Sequence, residues 1–146
     1  MADQYTRLAM QTVRGIGSTG IGVRYLLIPA VTGVPAVGTV LTTGAGAWGA
    51  NVDIAAANAI VAEYWICGFY VNTVGGVQIF EVQIRDATPA VISEFRIDPT
   101  AVTPNLGLLP VGPYPTYRPA NAQVQGRAGG AAAKVIGVSM LYTTTL

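Results

Sequence analysis

Histidine is absent from this chain, and cysteine occurs once, at Cys67. Without histidine, the commonest general base, metal ligand and physiological-pH switch are all missing. A single cysteine excludes an internal disulfide and any thiolate cluster for a metal. With no imidazole to activate it, Cys67 reads as a buried, inert thiol inside the most apolar stretch. Charge is also scarce: eight basic and seven acidic residues make up 10% of the 146, against roughly 25% in an average soluble domain. These charges are scattered and sum to +1, which excludes a phosphate-tracking surface and, with it, nucleic-acid binding. No uninterrupted apolar run reaches the roughly 20 residues of a membrane-spanning helix. The opening MADQYTRLAMQTVRG is too polar for a signal peptide, so an outer-membrane barrel and a membrane partner are not expected.

So few charges cannot cover a body of this size, while 51% of the residues are hydrophobic. Much of the outer surface must be apolar or small and polar, which is the mark of an interface. An obligate homo-oligomer is the expectation. Seven of the eight cations are arginine, and Lys134 is the only lysine. Arginine's planar, multidentate head favours interfaces.

The chain is dense in β-branched and aromatic residues, and it is organised around positions 60 to 85. IVAEYWICGFYVNT reads as a long strand with both faces apolar: Trp65, Cys67, Phe69 and Val71 on one, Tyr64, Ile66 and Tyr70 on the other. Glu63 interrupts the first face. Gly75 and Gly76 suit a tight turn. Phe80, Val82 and Ile84 then alternate with Glu81, Gln83 and Arg85, giving a strand with one wet face. The expectation is a central hairpin. Further strands are expected over 21–30, 36–43, 91–97, 121–127 and 134–145. In the strand at 91–97, Val91, Phe95 and Ile97 should point inward. Residues 98 to 120 hold six prolines, so this segment is an ordered loop or a sheet edge. Residues 1 to 20 show no helical stripe and end in glycines; they read as an extended arm.

The expected fold is therefore all-β: an antiparallel β-sandwich, jelly-roll-like, over 21–146, preceded by the arm. In a jelly roll the 91–97 strand crosses to the opposite sheet. If it instead paired with 80–85, Glu81 would lie opposite Arg96.

No motif declares a reaction. GIGSTG at 15–20 lacks the Lys-Ser/Thr of a phosphate-binding loop. Glu63 could be a buried acid, but such a residue more often pairs with an arginine across a sheet or interface. Asp86 and Asp98 sit at turns, where Asx hydrogen bonding accounts for them. Trp48, Trp65, Tyr64, Phe69 and Tyr70 could form a carbohydrate platform, although core or interface packing accounts for most of them. The chain is not expected to be an enzyme or to carry a cofactor or metal. Candidate assembly-interface residues are Tyr5, Leu8 and Met10 as anchors, Arg7 and Arg14 beside them, and Glu63, Arg118 and Arg127 in the body.

PYPTYRPANAQVQGRAGGAAAKVIGVSMLYTTTL resembles the C-terminal end of small β-sandwich virion proteins of tailed bacteriophages. A Pro-rich lead-in and a turn at Pro119, Ala120 and Asn121 precede a strand ending in arginine. A small-residue turn follows, then a final strand with Leu141, Tyr142 and Thr143. The run from Trp48 through EYWICGFYV and VQIFEVQI fits the same pattern, so the resemblance covers about 45–146. It implies a capsid decoration (cement) protein, a homo-oligomer with a trimer favoured, made in the host cytoplasm and bound to the major capsid protein on the virion surface. A tail or baseplate adaptor of the same fold, or a carbohydrate- or receptor-binding module, are the alternatives.

Overall fold

The computed structural model describes residues 25–29, 38–102, 104–111 and 115–144. The expected arm at 1–20, with Tyr5, Arg7, Leu8, Met10 and Arg14, lies outside them. The described residues form eleven strands and no helix. In chain order these are β1 (Leu26–Ile28), β2 (Thr39–Ala45), β3 (Ala47–Trp48), β4 (Val52–Ala55) and β5 (Tyr64–Val74), then β6 (Phe80–Asp86), β7 (Val91–Ile97), β8 (Pro104–Pro110), β9 (Thr116–Arg118), β10 (Val124–Gly130) and β11 (Val135–Thr143). They join into one largely antiparallel sheet, β7-β6-β10-β3-β2-β11-β5-β8, which curls until it nearly closes into a barrel. Of the remaining strands, β1 extends β11, β4 lies along β10, and β9 lies along β5.

β2 is the hinge of this curl. Thr39–Thr42 pairs antiparallel with β11, whereas Thr43–Ala45 pairs in parallel with Ala128–Gly130 of β10. One strand thus belongs to two walls. The first wall holds β1, β11, β5, β8 and β9; the second holds β10, β6, β7, β3 and β4. Between them lies a single apolar core that includes Leu41, Ile54, Tyr64, Ile66, Phe69 and Val71, together with Phe80, Val82, Ile84, Ile136, Val138 and Met140. Phe69 of β5 stacks on Phe95 of β7, ring centres 6.1 Å apart and planes 28° apart. Offset aromatic pairs of this kind contribute about 0.5–1.5 kcal/mol beyond their buried area.

The central hairpin expected across Gly75-Gly76 does not form. β5 pairs with β11, β8 and β9, whereas β6 pairs with β7 and β10, so the 75–79 connection crosses from one wall to the other. Gly75 is needed for closeness rather than for a turn, because a Cβ there would sit 2.4 Å from Val135 Cγ2. The jelly-roll crossing at the next step is likewise replaced by a hairpin. β6 and β7 form a ladder from Phe80↔Ile97 to Arg85↔Val91, and it sets Glu81 opposite Arg96. Asp86 closes this hairpin, its Oδ1 accepting from Thr88 N, Thr88 Oγ1 and Ala90 N at 2.7–3.0 Å. That is the Asx-type role expected of it.

β-Bulges re-aim several side chains. On β5 the pairing with β11 skips Cys67 and then Asn72. Tyr64 and Ile66 therefore share the core face with Phe69 and Val71, and the even-spaced division of this strand into two faces fails at Cys67. On β7 the ladder skips Ile92, which packs on the core, and Val91 turns outward to 52% exposure instead of inward. Phe95 and Ile97 do pack inward. The proline-rich segment is the edge alternative: β8 begins and ends on proline, where a missing N–H costs the ladder least, and with β9 it covers the free side of β5.

Candidate functional site

Charge is segregated between the two walls. β1, β2, β5, β8, β9 and β11 carry one charged residue among them, Arg118. β4, β6, β7 and β10 carry seven: Asp53, Glu81, Arg85, Asp86, Glu94, Arg96 and Arg127.

Register defines what the first wall shows outside. Met140 and Phe69 are paired core residues, so the neighbouring Tyr70 and Leu108 point away from the core, while Ser139 in the same row is fully buried. By the same alternation Val135, Thr42 and Val40 point outward. Val40, Leu108 and Val135 are exposed. This face offers aliphatic and hydroxyl side chains without ionic groups. Cys67, in its bulge, has its thiol pushed up to about 11 by burial. The inert reading of this residue therefore has a physical cause.

The second wall presents a polar row. Arg127 of β10 donates through Nε and Nη2 to Gln83 Oε1 at 2.9 and 2.6 Å, and Gln83 Nε2 donates to Glu94 Oε2 at 2.9 Å. Gln123 and Gln125 both donate to Asp53 Oδ1 at 2.8 Å. Trp48 lies against this row with Arg127 Cζ 4.7 Å from its ring centre, within cation–π range. The position of Trp48 follows from glycines. Gly46, at φ 69°, makes the turn from β2 into β3, and its N–H donates to Gly130 O. A Cβ on Gly49 would fall 1.9 Å from Thr42 O, so only glycine lets the chain leave β3 along this path.

Beside Trp48 the layer of side chains is interrupted. Gly129 forms the floor of a groove of about 450 Å3, bordered by the Gly130 backbone and walled by Trp48 on one side, Glu81 and Arg96 on the other, with Ile79 at one end. Among the described residues Glu81 and Arg96 make no side-chain hydrogen bond or ion pair, whereas Gln83, Glu94 and Arg127 in the adjacent row are all engaged.

A third cluster closes one end of the core. Arg118 lies across the ladder from Tyr64, and its Nη2 is 3.5 Å from Asp86 Oδ2, the two side chains 17% and 15% exposed. Tyr64 donates to Ala122 O at 2.9 Å. Burial raises the Tyr64 pKa, a shift that the nearby Arg118 opposes. Hydrogen bonds from the Thr88 side chain, then the turn backbone and Arg118, hold Asp86 below its usual value against some desolvation.

The candidate residues of the body are thus not gathered into one site. Arg118 joins the Asp86 cluster, Arg127 joins the Trp48 row, and the exposed Glu63 accepts from Tyr117 Oη at 3.0 Å. That bond raises the Tyr117 pKa. Sequence reasoning noticed Trp48 only as one aromatic among several; Gly129, read as part of a turn, was the unused signal for the groove. No group of three potential metal-binding side chains lies together among the described residues. Compared with known protein families, curated proteins and solved structures, the chain gives no match.

Proposed function

We propose that this chain is a structural protein of a tailed-bacteriophage virion, a capsid decoration protein that binds the head surface as a homo-oligomer and bridges capsomers. The observation that carries the reading is the segregation of charge: six strands with a single charged residue and an outward set of valine, leucine, tyrosine and threonine side chains. Burying such a face between copies desolvates no ion, and closed rotational symmetry hides it completely. The charged wall then faces solvent and keeps the particle dispersed. The C-terminal resemblance described above points the same way. The mechanism is mechanical, added buried area opposing internal pressure, and it needs no catalytic group. The segment 1–20 is assigned the role of an arm that ties each copy to a neighbour through Tyr5, Leu8 and Met10, with Arg7 and Arg14 making multidentate contacts.

Light scattering tests the assembly. A trimer has a mass of about 45 kDa, three times the 15.1 kDa chain, and Val40→Asp with Val135→Asp should dissociate it by burying two carboxylates. A well-behaved 15.1 kDa monomer would overturn the proposal. Labelled protein on purified particles locates it: copies in proportion to capsomers mean the head, whereas one ring of copies means the tail adaptor.

A further inference from the structure

The groove beside Trp48 lies on the charged wall and plays no part in the proposed assembly through the charge-poor one. Its chemistry is nevertheless specific. Gly129 sits directly against the indole, where a Cβ would be 3.4 Å from Cε3, and the Gly130 backbone borders the groove while its Cβ direction is filled by the Gln78 side chain. Gly129, opposite Glu81 in the ladder, opens a trough in a surface otherwise covered by Gln83, Glu94 and Arg127. The trough's volume of about 450 Å3 falls within the roughly 300–1,000 Å3 of small-molecule sites. One wall is aromatic and already held by the guanidinium of Arg127. The other is a carboxylate and a guanidinium directly opposite each other in the ladder, both without a side-chain partner among the described residues while their neighbours are bonded.

We infer that this groove binds a neutral pyranose, as a mono- or disaccharide unit of a surface glycan. A pyranose has a flat C–H face that stacks on indole and a rim of hydroxyls that both donate and accept. Arg96 can only donate, and an ionised Glu81 can only accept. A single sugar edge satisfies both together, through charge-assisted bonds. A carboxylate or phosphate would gain from Arg96 but be repelled by Glu81, and a cation would meet the reverse, so the paired charges select against ionic ligands. Ile79 closes the end with an apolar surface and limits the length of the occupant.

The test uses the full chain, titrated with the methyl glycosides of glucose, galactose and mannose, with N-acetylglucosamine, and with lactose and maltose, followed by protein-observed NMR. At least one should shift the Trp48 indole N–H saturably, with a Kd of about 0.1–10 mM. Glu81→Gln, which keeps the side-chain length, and Arg96→Gln, which removes the guanidinium, should each weaken that binding about tenfold. Trp48→Leu should abolish it, and Glu63→Gln, on the other wall where Glu63 bonds Tyr117, should leave it unchanged. Adenosine and glucuronate are the competitors. Tighter binding of adenosine would reassign the site to a nucleobase, and tighter binding of glucuronate to an anion; either overturns the inference. So does the absence of a saturable shift with every pyranoside, or a shift that survives all three groove substitutions, in protein whose circular dichroism is native.

Discussion

The packing around Gly126 allows a stability effect to be worked out from distances. Gly126 lies mid-β10 and faces the core, where a methyl group would meet Ile54 Cδ1 at 2.9 Å and the two Leu41 methyls at 3.0 and 3.2 Å. These are ends of side chains, which in an open site would swing away. Here Leu41 is 0% and Ile54 4% exposed, both inside the single core, so neither has room to yield. Overpacking of this kind costs about 1–3 kcal/mol. The glycine's φ is not in the left-handed region, so alanine gains about 0.4–1 kcal/mol through a stiffer unfolded chain. The balance for Gly126→Ala is a loss of about 1–2 kcal/mol, or a fall in Tm of about 2–8 °C for a domain of this size. Leu41→Val removes part of the obstruction. Alone it should cost about 1 kcal/mol, but combined with Gly126→Ala it should cost less than the sum by about 0.5–1 kcal/mol. Urea unfolding of the four proteins, read by far-ultraviolet circular dichroism, measures this coupling. If Gly126→Ala is neutral or stabilising, or if the two changes are strictly additive, the contact between β2 and β10 is not as tight as described.

Three further outcomes are expected. Tyr64→Phe leaves the Ala122 carbonyl without its donor and should cost about 0.5–1.5 kcal/mol near neutral pH; because the folded Tyr64 pKa is raised, the parent should lose stability as pH climbs above about 10, and the variant should lose less. Asp86 has a lowered folded pKa, so its contribution is present above about pH 4 and fades below it; the stability gap between parent and Asp86→Asn, from urea midpoints at several pH values, should narrow in acid. With its thiol pushed up to about 11, Cys67 should react with iodoacetamide at pH 8 at least about tenfold more slowly than free cysteine, and a rate equal to that of a model thiol would show that burial does not govern it.

How far the sequence revealed this molecule depends on the stretch. The alternation of Phe80, Val82 and Ile84 places all three in the core, because an unbulged strand with one wet face leaves period two intact. The strand at 91–97 was legible to the residue, yet its Val91 was not, since the bulge at Ile92 inserts one position without any compositional mark. The same holds at Cys67 and Asn72 on β5. Connectivity was the deeper failure. A Gly-Gly pair satisfies both a tight hairpin and a close approach to a distant strand, and only the position of Val135 distinguishes them. Conversely, Asp86-Ala87-Thr88-Pro89 is a better hairpin than its proline suggests, because the Asp86 side chain ties the turn from within. At the groove, Trp48 and the conditional Glu81–Arg96 opposition were visible as separate residues. Nothing in linear order says that Gly129 lies against the indole of Trp48, 81 positions earlier.

The double allegiance of β2 has a consequence for how this protein is made. Thr43 finds its parallel partner at Ala128, and Leu41 finds its antiparallel one at Ile136. A ribosome delivers β2, β5 and β6 long before either partner exists. The nascent chain therefore waits with unpaired strand edges until β10 and β11 emerge, and closes only then. Its synthesis is a period of exposure to aggregation, in which a chaperone or rapid completion matters more than any local propensity.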